Sequence, residues 1–375
     1  MSELKQIALA FPLGIRHLEK VTAGISRFAR ERGWRLITNP ESHRLRFEEL
    51  QGWQGDGIIA FLDTPREVDL ALGFGLPLVN LSGALSRTPF PRVRNDYAAI
   101  GATAARHLLS RGFQEFAFYG LRGLWYADEI GRGYAETLAA ASLTPRRFDA
   151  ASPIHAPTSW IAETGALGEW LLSLPRPCAL LCPQDQRGLL ALQAALQAGL
   201  RVPQDLAIIG SNDDGIVCEL ANPSLSSVVR AGEELGYAAA KLLQDLMEGH
   251  PSPAGDLVFP PGKVMERESS AVYVLQDPDL RRALAWIQVN VAASITVSAV
   301  AAHIGRSRRW LEYAFQEELE CTPLDFILKS RIEGVLRQRR RQPEAKLSSL
   351  AWENGFSSTA QMQRAFRKIT GAPLK

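Results

Sequence analysis

Two stretches near the C-terminal end decide the fold: SAVAAHIGRSRRWLEYAF (residues 298–315) and SSLAWENGFSSTAQMQRAF (residues 348–366). In each, an alanine stands four positions before a glycine, and a serine stands two positions after it: Ala301, Gly305 and Ser307, then Ala351, Gly355 and Ser357. The alanine suits a close crossing of two helices, the glycine a turn that needs a positive φ, and the serine the N-cap of the next helix. The pattern predicts two helix-turn-helix units.

The second helix of each unit carries one apolar face. Leu311 and Phe315 recur four positions apart, as do Met362 and Phe366, which is the core stripe of an amphipathic helix whose other face is free. A single pattern of this kind also occurs in ordinary helical bundles. Two copies in register, with their glycines fifty positions apart, favour a pair of DNA recognition helices.

From Asp277 to Lys375 the chain resembles the AraC/XylS family of DNA-binding domains, and the closing stretch GFSSTAQMQRAFRKITGAP carries the family signature. The resemblance implies two sets of residues that face the major groove: Ser307, Arg308, Arg309, Glu312 and Tyr313, then Thr359, Gln361, Gln363 and Arg364. Arg364 is expected to read a base, because a guanidinium can bond guanine through two hydrogen bonds. Glu320 replaces a family glycine and Gln361–Met362 an aromatic pair, so the base preference does not carry over.

Charge is divided unevenly along the chain. From Gln276 onward there are sixteen Lys and Arg and ten Asp and Glu, which gives this segment a net charge of +6. The rest of the chain has a net charge of −4. A basic tail on an acidic body fits double-stranded DNA as the partner of the tail alone. The run Arg337, Arg339, Arg340 and Arg341 predicts a solvated helix end, with phosphate contact as the alternative.

The body of the chain alternates short apolar runs with amphipathic stretches, which is typical of a parallel sheet covered by helices on both faces. Predicted strands are 6–11, 57–61, 77–81, 115–119, 179–182 and 206–210; predicted helices are 18–32, 98–111, 131–141, 159–173, 186–198 and 234–248. Two sets of βαβ units, divided near Phe113, predict two lobes with a ligand cleft at the carboxyl ends of the strands.

This body, roughly Lys5 to Arg267, resembles the LacI/GalR-type effector domain, which is related to periplasmic sugar-binding proteins. The most specific stretches are residues 53–61 (WQGDGIIAF), 93–120 and 184–228. An effector domain of this type followed by an AraC-type tail resembles the regulators of xylose operons. The expected fold class is an α/β two-lobed periplasmic-binding-protein-like effector domain (residues 1–272), a linker (273–280) and an all-α domain with two helix-turn-helix units (281–375).

The resemblance implies a ligand site in the cleft between the lobes, where planar polar side chains bind hydroxyls and an aromatic ring stacks on the sugar. The expected residues are Arg16, Trp125, Tyr126, Gln184, Asp185, Asn212 and Asp213. The plainer alternative is that Asp185 and Asp213 cap helices and that Trp125 is surface packing.

Two departures from the family fall on this site. Ile130 stands where an arginine is common, and Asn212 stands where an aspartate is common. The sequence therefore leaves four kinds of effector open: xylose, another pentose, a sugar acid or an unrelated compound.

Other functional classes find little support in the sequence. It has no GxGxxG after the first strand, no GxxxxGK[ST] loop and no GxSxG elbow, so we expect no enzyme activity and no cofactor. The six histidines lack metal-ligand spacing, and the four cysteines fit buried thiols in a reducing compartment. No apolar stretch is long enough for a membrane span, so the expected location is cytoplasmic.

These patterns together predict a ligand-responsive transcription regulator of pentose, xylose-like, catabolism. Its expected partners are double-stranded DNA, a small-molecule effector of the sugar type and a second copy in a homodimer, with RNA polymerase as a further candidate. One alternative is a regulator of the same architecture with a non-xylose or non-sugar effector. Another is a ligand-binding protein whose tail docks a different protein.

Overall fold

The computed structural model describes residues 4–13, 15–39, 41, 42, 44–152, 160–275, 277–319, 321–370 and 374. The chain divides into two compact units. The first comprises residues 1–109 and 113–272, and the second comprises residues 110–112 and 273–375. The first unit is α/β and the second is helical.

The first unit alternates strands with helices. Its strands are β1 Gln6–Ala10, β2 Arg35–Ile37, β3 Gly57–Ala60, β4 Leu78–Asn80, β5 Val93–Asn95, β6 Glu115–Leu121, β7 Arg146–Ala150, β8 Cys178–Leu181, β9 Leu206–Asn212, β10 Ser226–Val229, β11 Leu257–Phe259 and β12 Val264–Met265. Its α-helices are α1 Arg16–Arg32, α2 Pro65–Phe74, α3 Tyr97–Leu109, α4 Trp125–Ala139, α5 Trp160–Leu172, α6 Asp185–Gln197, α7 Gly215–Leu220 and α8 Glu233–Met247.

Two sheets form two lobes. The first lobe holds a parallel sheet of order β2-β1-β3-β4, and the second holds a sheet of order β12-β10-β9-β8-β6-β7 in which only the β10–β12 pair is antiparallel. A small parallel pair joins β5 to β11. Every predicted strand is present. The strands that sequence reasoning missed are short or polar, such as β7 (RRFDA) and β10 (SSVV).

Two helix pairs tie distant parts of the first unit together. α1 packs against α8 in the first lobe, and α3 packs against α4 in the second. Both crossings are made at glycines: a Cβ on Gly24 would lie 2.0 Å from the Glu233 carbonyl oxygen, and a Cβ on Gly101 would lie 2.0 Å from the Ile130 carbonyl oxygen. Only a residue without a side chain allows the two backbones to approach so closely.

The helix pairs dictate how the chain passes between the lobes. α8 follows the second-lobe strands in sequence but packs in the first lobe, so the chain crosses between β5 and α3, between β10 and α8, and between β11 and β12. The sequence pattern put the division near Phe113. In the structure α3 already packs against α4, so the chain enters the second lobe before α3 begins.

The second unit contains six α-helices within its described residues: α9 Pro278–Asn290, α10 Val297–Ile304, α11 Arg308–Leu319, α12 Pro323–Arg341, α13 Leu347–Glu353 and α14 Thr359–Thr370. One core lies among α9, α10, α11 and the start of α12, and the other lies among α12, α13 and α14. Residues 273–280, predicted to be a linker, supply Leu275 and Leu280 to the first core and include the start of α9.

Both helix-turn-helix turns have the predicted glycine geometry. Gly305 has φ 71° and Gly355 has φ 75°. Ser307 caps α11, because its Oγ accepts a hydrogen bond from the Trp310 backbone N–H at 3.1 Å. In the second helix-turn-helix unit the cap of α14 is one residue later than predicted. The Oγ atom of Ser358, rather than that of Ser357, accepts a hydrogen bond from the Gln361 backbone N–H at 3.2 Å.

A buried arginine joins the two helix-turn-helix units. Arg331 of α12 is 6% exposed; it donates from Nε to the Val291 carbonyl at 3.0 Å and from Nη2 to the Ala293 carbonyl at 2.7 Å. A Cβ on Gly355 would lie 2.6 Å from the same Val291 oxygen. The segment after α9 is therefore held between α12 and the turn that precedes α14.

The glycine crossing in the second lobe gives the first prediction. Gly101→Ala should lower the free energy of unfolding by about 1–3 kcal/mol, because the new Cβ forces α3 away from α4. Gly165→Ala is the matched control: it lies in α5, nothing lies within 4 Å of its added Cβ, and it should raise stability by up to about 1 kcal/mol. Urea denaturation of both variants measures the difference, and equal stabilities would contradict the close crossing.

Candidate functional site

Arg230 lies in the candidate effector cleft, on the connection from β10 to α8. Its Nη2 donates to the Pro183 carbonyl and to Ser211 Oγ, both at 2.9 Å. Its guanidinium carbon lies 5.8 Å from the ring centroid of Tyr97 and 6.0 Å from that of Tyr126. Arg230 therefore lies beside two aromatic rings and the ends of β8 and β9.

The first lobe contributes His17, from the start of α1. Burial, and to a smaller extent the nearby Arg230 cation, lower the pKa of His17 to about 3. The imidazole is therefore neutral at physiological pH. His17 Nδ1 is buried and has no hydrogen-bond partner among the described residues.

Asn212 ends β9 and is the most unusual residue of the site. It is 5% exposed, and both side-chain amide atoms are buried without a hydrogen-bond partner among the residues that the structure describes. Its φ is 135° and that of Asp213 is 55°, so two consecutive non-glycine residues adopt positive φ. Backbone strain of this kind is concentrated at binding and switching sites.

Buried polar atoms without partners are costly. Each costs about 1–3 kcal/mol relative to a satisfied group. Arg230 Nε shares this condition with the Asn212 amide and His17 Nδ1 in the described part of the chain. A polar ligand that bonds to these atoms would recover that free energy.

Two predicted ligand residues have their carboxylates engaged by the protein. Asp185, which is fully buried, accepts from Ser227 Oγ at 2.6 Å and from the Asp214 backbone N–H at 2.7 Å. Asp213 accepts from Arg267 Nη2 at 2.7 Å. The side chain that caps α7 is Asp214, whose carboxylate accepts from Val217 N–H at 3.3 Å.

Gln184 is the N-cap residue of α6, with a partly exposed side chain that makes no cap hydrogen bond. The Arg16 side chain lies outside the described residues.

The two predicted aromatic residues have different surroundings. The Trp125 ring is covered by Arg92, whose guanidinium carbon is 4.5 Å from its centroid, and by Arg94 at 5.0 Å. Asp256 accepts from both arginines, at 2.7 Å and 2.6 Å. Tyr126 lies beside Arg230 instead, and burial raises the pKa of its hydroxyl. Of the two rings, Tyr126 belongs to the cluster around Arg230.

Sequence reasoning missed Arg230 and Tyr97. Arg230 directly follows β10, whose SSVV sequence was not recognised as a strand, so its place at a strand end was hidden. Tyr97 begins α3, one residue before the predicted helix 98–111, and was given no role.

The first candidate recognition helix, α11, buries Leu311, Ala314 and Phe315. Its exposed side carries Arg308, Arg309, Glu312, Tyr313 and Gln316. Arg308 Nε and Glu312 Oε1 form an ion pair of 2.8 Å across one turn. The predicted set is therefore on the free face, except that the Ser307 hydroxyl is used as the helix cap.

The second candidate recognition helix, α14, buries Met362, Ala365 and Phe366. Arg364 is exposed, and so is Arg367 one turn later, which sequence reasoning missed.

The two predicted glutamines of α14 have partners within the chain. Gln361 Oε1 accepts from Ser357 N–H and Oγ, both at 2.9 Å, and the Gln363 side chain bonds to the Leu374 backbone. Thr359 starts the helix and is half-buried.

The basic run at the end of α12 is only partly a solvated helix end. Arg337 is exposed, whereas Arg339 Nη1 donates to the Ala345 carbonyl at 2.8 Å. The side chains of Arg340 and Arg341 lie outside the described residues.

One group of side chains has metal-ligand atoms close together. At the end of α8, possible ligand atoms of Asp245, Glu248 and His250 lie within 4.8 Å of one another. Glu248 and His250 are exposed, and exposed acidic groups of this kind are common without a bound ion. No helix among the described residues is both long and apolar enough to cross a membrane.

The chain matches two family descriptions in the expected order. Residues 105–270 match a periplasmic binding protein-like domain, and residues 300–375 match a helix-turn-helix domain. A two-lobed ligand-binding fold followed by two helix-turn-helix units defines a DNA-binding transcription regulator, a class without enzymatic activity.

Whole-chain relatives identify the family. The chain is 30% identical to the xylose operon regulatory protein of Escherichia coli strain K12 over 97% of this chain and 94% of the relative. It is 28% identical to the protein of that name from Haemophilus influenzae, over 84% and 82%. The solved structure of the xylose-binding transcription activator xylR matches with a TM-score of 0.66 and 25% identity, over 99% of this chain and 97% of that one. The chain belongs to the family of the xylose operon regulatory proteins.

The raised pKa of Asp185 predicts how the stability of the protein changes with pH. Burial raises its pKa to about 6, above the unfolded value of about 3.9, so its stabilising contribution is full below pH 4 and is lost as the pH rises through 6. Between pH 5 and 8, wild type should lose about 1 kcal/mol of unfolding free energy that Asp185→Asn does not lose.

The control is Asp205→Asn, because Arg201 lowers the pKa of Asp205 to about 2, outside this range. Its pH slope should equal that of wild type in urea denaturation. A wild-type slope in the Asp185→Asn variant would contradict the raised pKa.

Proposed function

We propose that this protein is a sugar-responsive transcription regulator of pentose, xylose-like, catabolism that acts in the cytoplasm as a homodimer. The effector domain would span residues 1–272 and the DNA-binding domain residues 281–375. The observation that carries the proposal is Asn212, a buried amide without partners at the end of a central strand. A polyhydroxylated ligand offers the donors and acceptors that this amide needs.

The mechanism follows from the three passages between the lobes. An effector that bonds to Asn212 of the second lobe, to Arg230 on the connection from β10 to α8 and to His17 of the first lobe binds the closed arrangement more tightly than the open one. The equilibrium between the two then shifts by no more than that difference in affinity. In a dimer, the shift would change the placement of the paired DNA-binding domains and hence their affinity for an operator.

Two observations weigh on the alternatives. The free faces of α11 and α14 carry Arg308, Arg309, Arg364 and Arg367, which favours a phosphate and base surface over an apolar protein-docking surface. The relatives are named for xylose, but Trp125, one of the two rings expected to stack on the sugar, is covered by two arginines. An effector other than xylose therefore stays a second candidate. RNA polymerase contact is a further candidate for the regulator when bound near a promoter.

Asn212→Ala tests the ligand site. The variant should lose the ligand response while its ligand-free DNA affinity stays within about twofold of wild type, because the lost amide lies in the cleft. A thermal-shift screen with D-xylose, L-arabinose, D-ribose and D-xylonate identifies a compound that binds wild type, and operator binding is then titrated with it. Gln197→Ala, which removes an exposed amide from the C-terminal end of α6, is the control. Normal induction of Asn212→Ala would remove this residue from the site.

Arg364→Ala tests base reading. Loss of a guanidinium that bonds a base edge should cost about 1–3 kcal/mol on the specific operator and much less on unrelated DNA. Arg132→Ala, an exposed arginine on α4, removes the same charge from the first unit and should leave both affinities unchanged. Fluorescence anisotropy on both DNAs gives the comparison. Equal losses on specific and unrelated DNA would assign Arg364 to phosphate contact instead.

A further inference from the structure

Several arginines near the cleft form ion pairs within the described residues. Arg44 pairs with Asp63 and Glu67, Arg187 pairs with Glu163, and Arg267 pairs with Asp213. Arg230 has no carboxylate within ion-pair distance among the described residues. Its Nη2 bonds to two neutral oxygens, and its Nε is buried without an acceptor.

The neighbours of Arg230 do not neutralise it. His17 contributes no negative charge, and Tyr97 and Tyr126 offer aromatic faces and neutral hydroxyls. Asp185 is close enough for the two charges to interact, but its oxygens already accept from Ser227 and Asp214. The cleft therefore holds a half-buried cation that contacts no carboxylate among the described residues and whose Nε has no acceptor there.

We propose that the effector is an anion: a polyhydroxylated compound with a carboxylate or a phosphate that binds the Arg230 guanidinium. The inference rests on the proposed function, since it names the class of effector for the same cleft. A neutral sugar leaves the guanidinium without a contacting anion, whereas an anionic group forms a charge-assisted hydrogen bond with Nε. Asn212 then bonds to the hydroxyls, because its amide has a donor and an acceptor free of protein partners in the described chain.

The experiment compares matched neutral and anionic probes by isothermal titration calorimetry of the full-length protein. The pairs are D-xylose with D-xylonate, and D-ribose with D-ribose 5-phosphate. At least one anion should bind at least tenfold more tightly than its neutral counterpart. The pair in which this occurs distinguishes a carboxylate from a phosphate as the recognised group.

Variants connect the preference to Arg230. Arg230→Gln should weaken anion binding at least thirtyfold and reduce the preference over the neutral probe, while Arg230→Lys, which keeps the charge, should retain most of the preference. Arg132→Gln removes one positive charge from the exposed face of α4 and should change neither affinity. If Arg230→Gln fails to fold, the wild-type comparison and Arg230→Lys still decide the question.

Three results would overturn the proposal in distinguishable ways. Equal or tighter binding of a neutral pentose, with an altered operator affinity, would reject the anionic effector but leave the sugar-responsive regulator intact. An anion preference unchanged in Arg230→Gln would reject Arg230 as its origin. If none of the four probes binds and none alters operator affinity, the proposed function fails together with the inference.

Discussion

The close backbone approach of α1 to α8, and of α3 to α4, is the constraint on which the effector unit depends. Gly24 and Gly101 allow each pair to meet at carbonyl distance. Since α8 comes late in the sequence and α1 early, the first lobe is closed only when the chain has returned from the second. Three connecting segments follow from this arrangement, and Arg230 lies on one of them. Arg230, a residue of the candidate cleft, therefore lies on a connection that changes conformation when the lobes move relative to each other.

The cleft combines strain, burial and unused hydrogen-bonding capacity in a few residues. Asn212 and Asp213 have positive φ, Asn212 has no protein partner for its amide in the described chain, and Arg230 has no carboxylate there. Each feature costs folding free energy on its own. Their concentration at strand ends of one lobe, with His17 of the other lobe nearby, is expected where a ligand supplies the missing interactions.

Local sequence patterns predicted much of this architecture, and their failures have physical causes. Strands with continuous apolar runs, such as β3 (GIIA), were found because both faces are buried, whereas β10 (SSVV) was missed and Arg230 with it. The covering of Trp125 depends on Arg92 and on Asp256, far away in sequence, so no local pattern reveals it. The turn glycines were predictable because few residues other than glycine adopt a positive φ. The predicted cap of α14, Ser357, was wrong by one residue, since Ser357 and Ser358 are adjacent and the second of them caps the helix.

Arg331 has a consequence for the nucleic acid rather than for the protein. It bonds the segment after α9 to α12, and the Gly355 turn packs on the same segment, so these contacts connect the two helix-turn-helix units. Two candidate recognition helices whose relative movement is restricted by these contacts favour major-groove segments at a set distance and angle. A duplex with another helical phase must bend or change its twist to satisfy both. The flexibility of base steps between the two contacted segments then contributes to operator choice, although no side chain touches them.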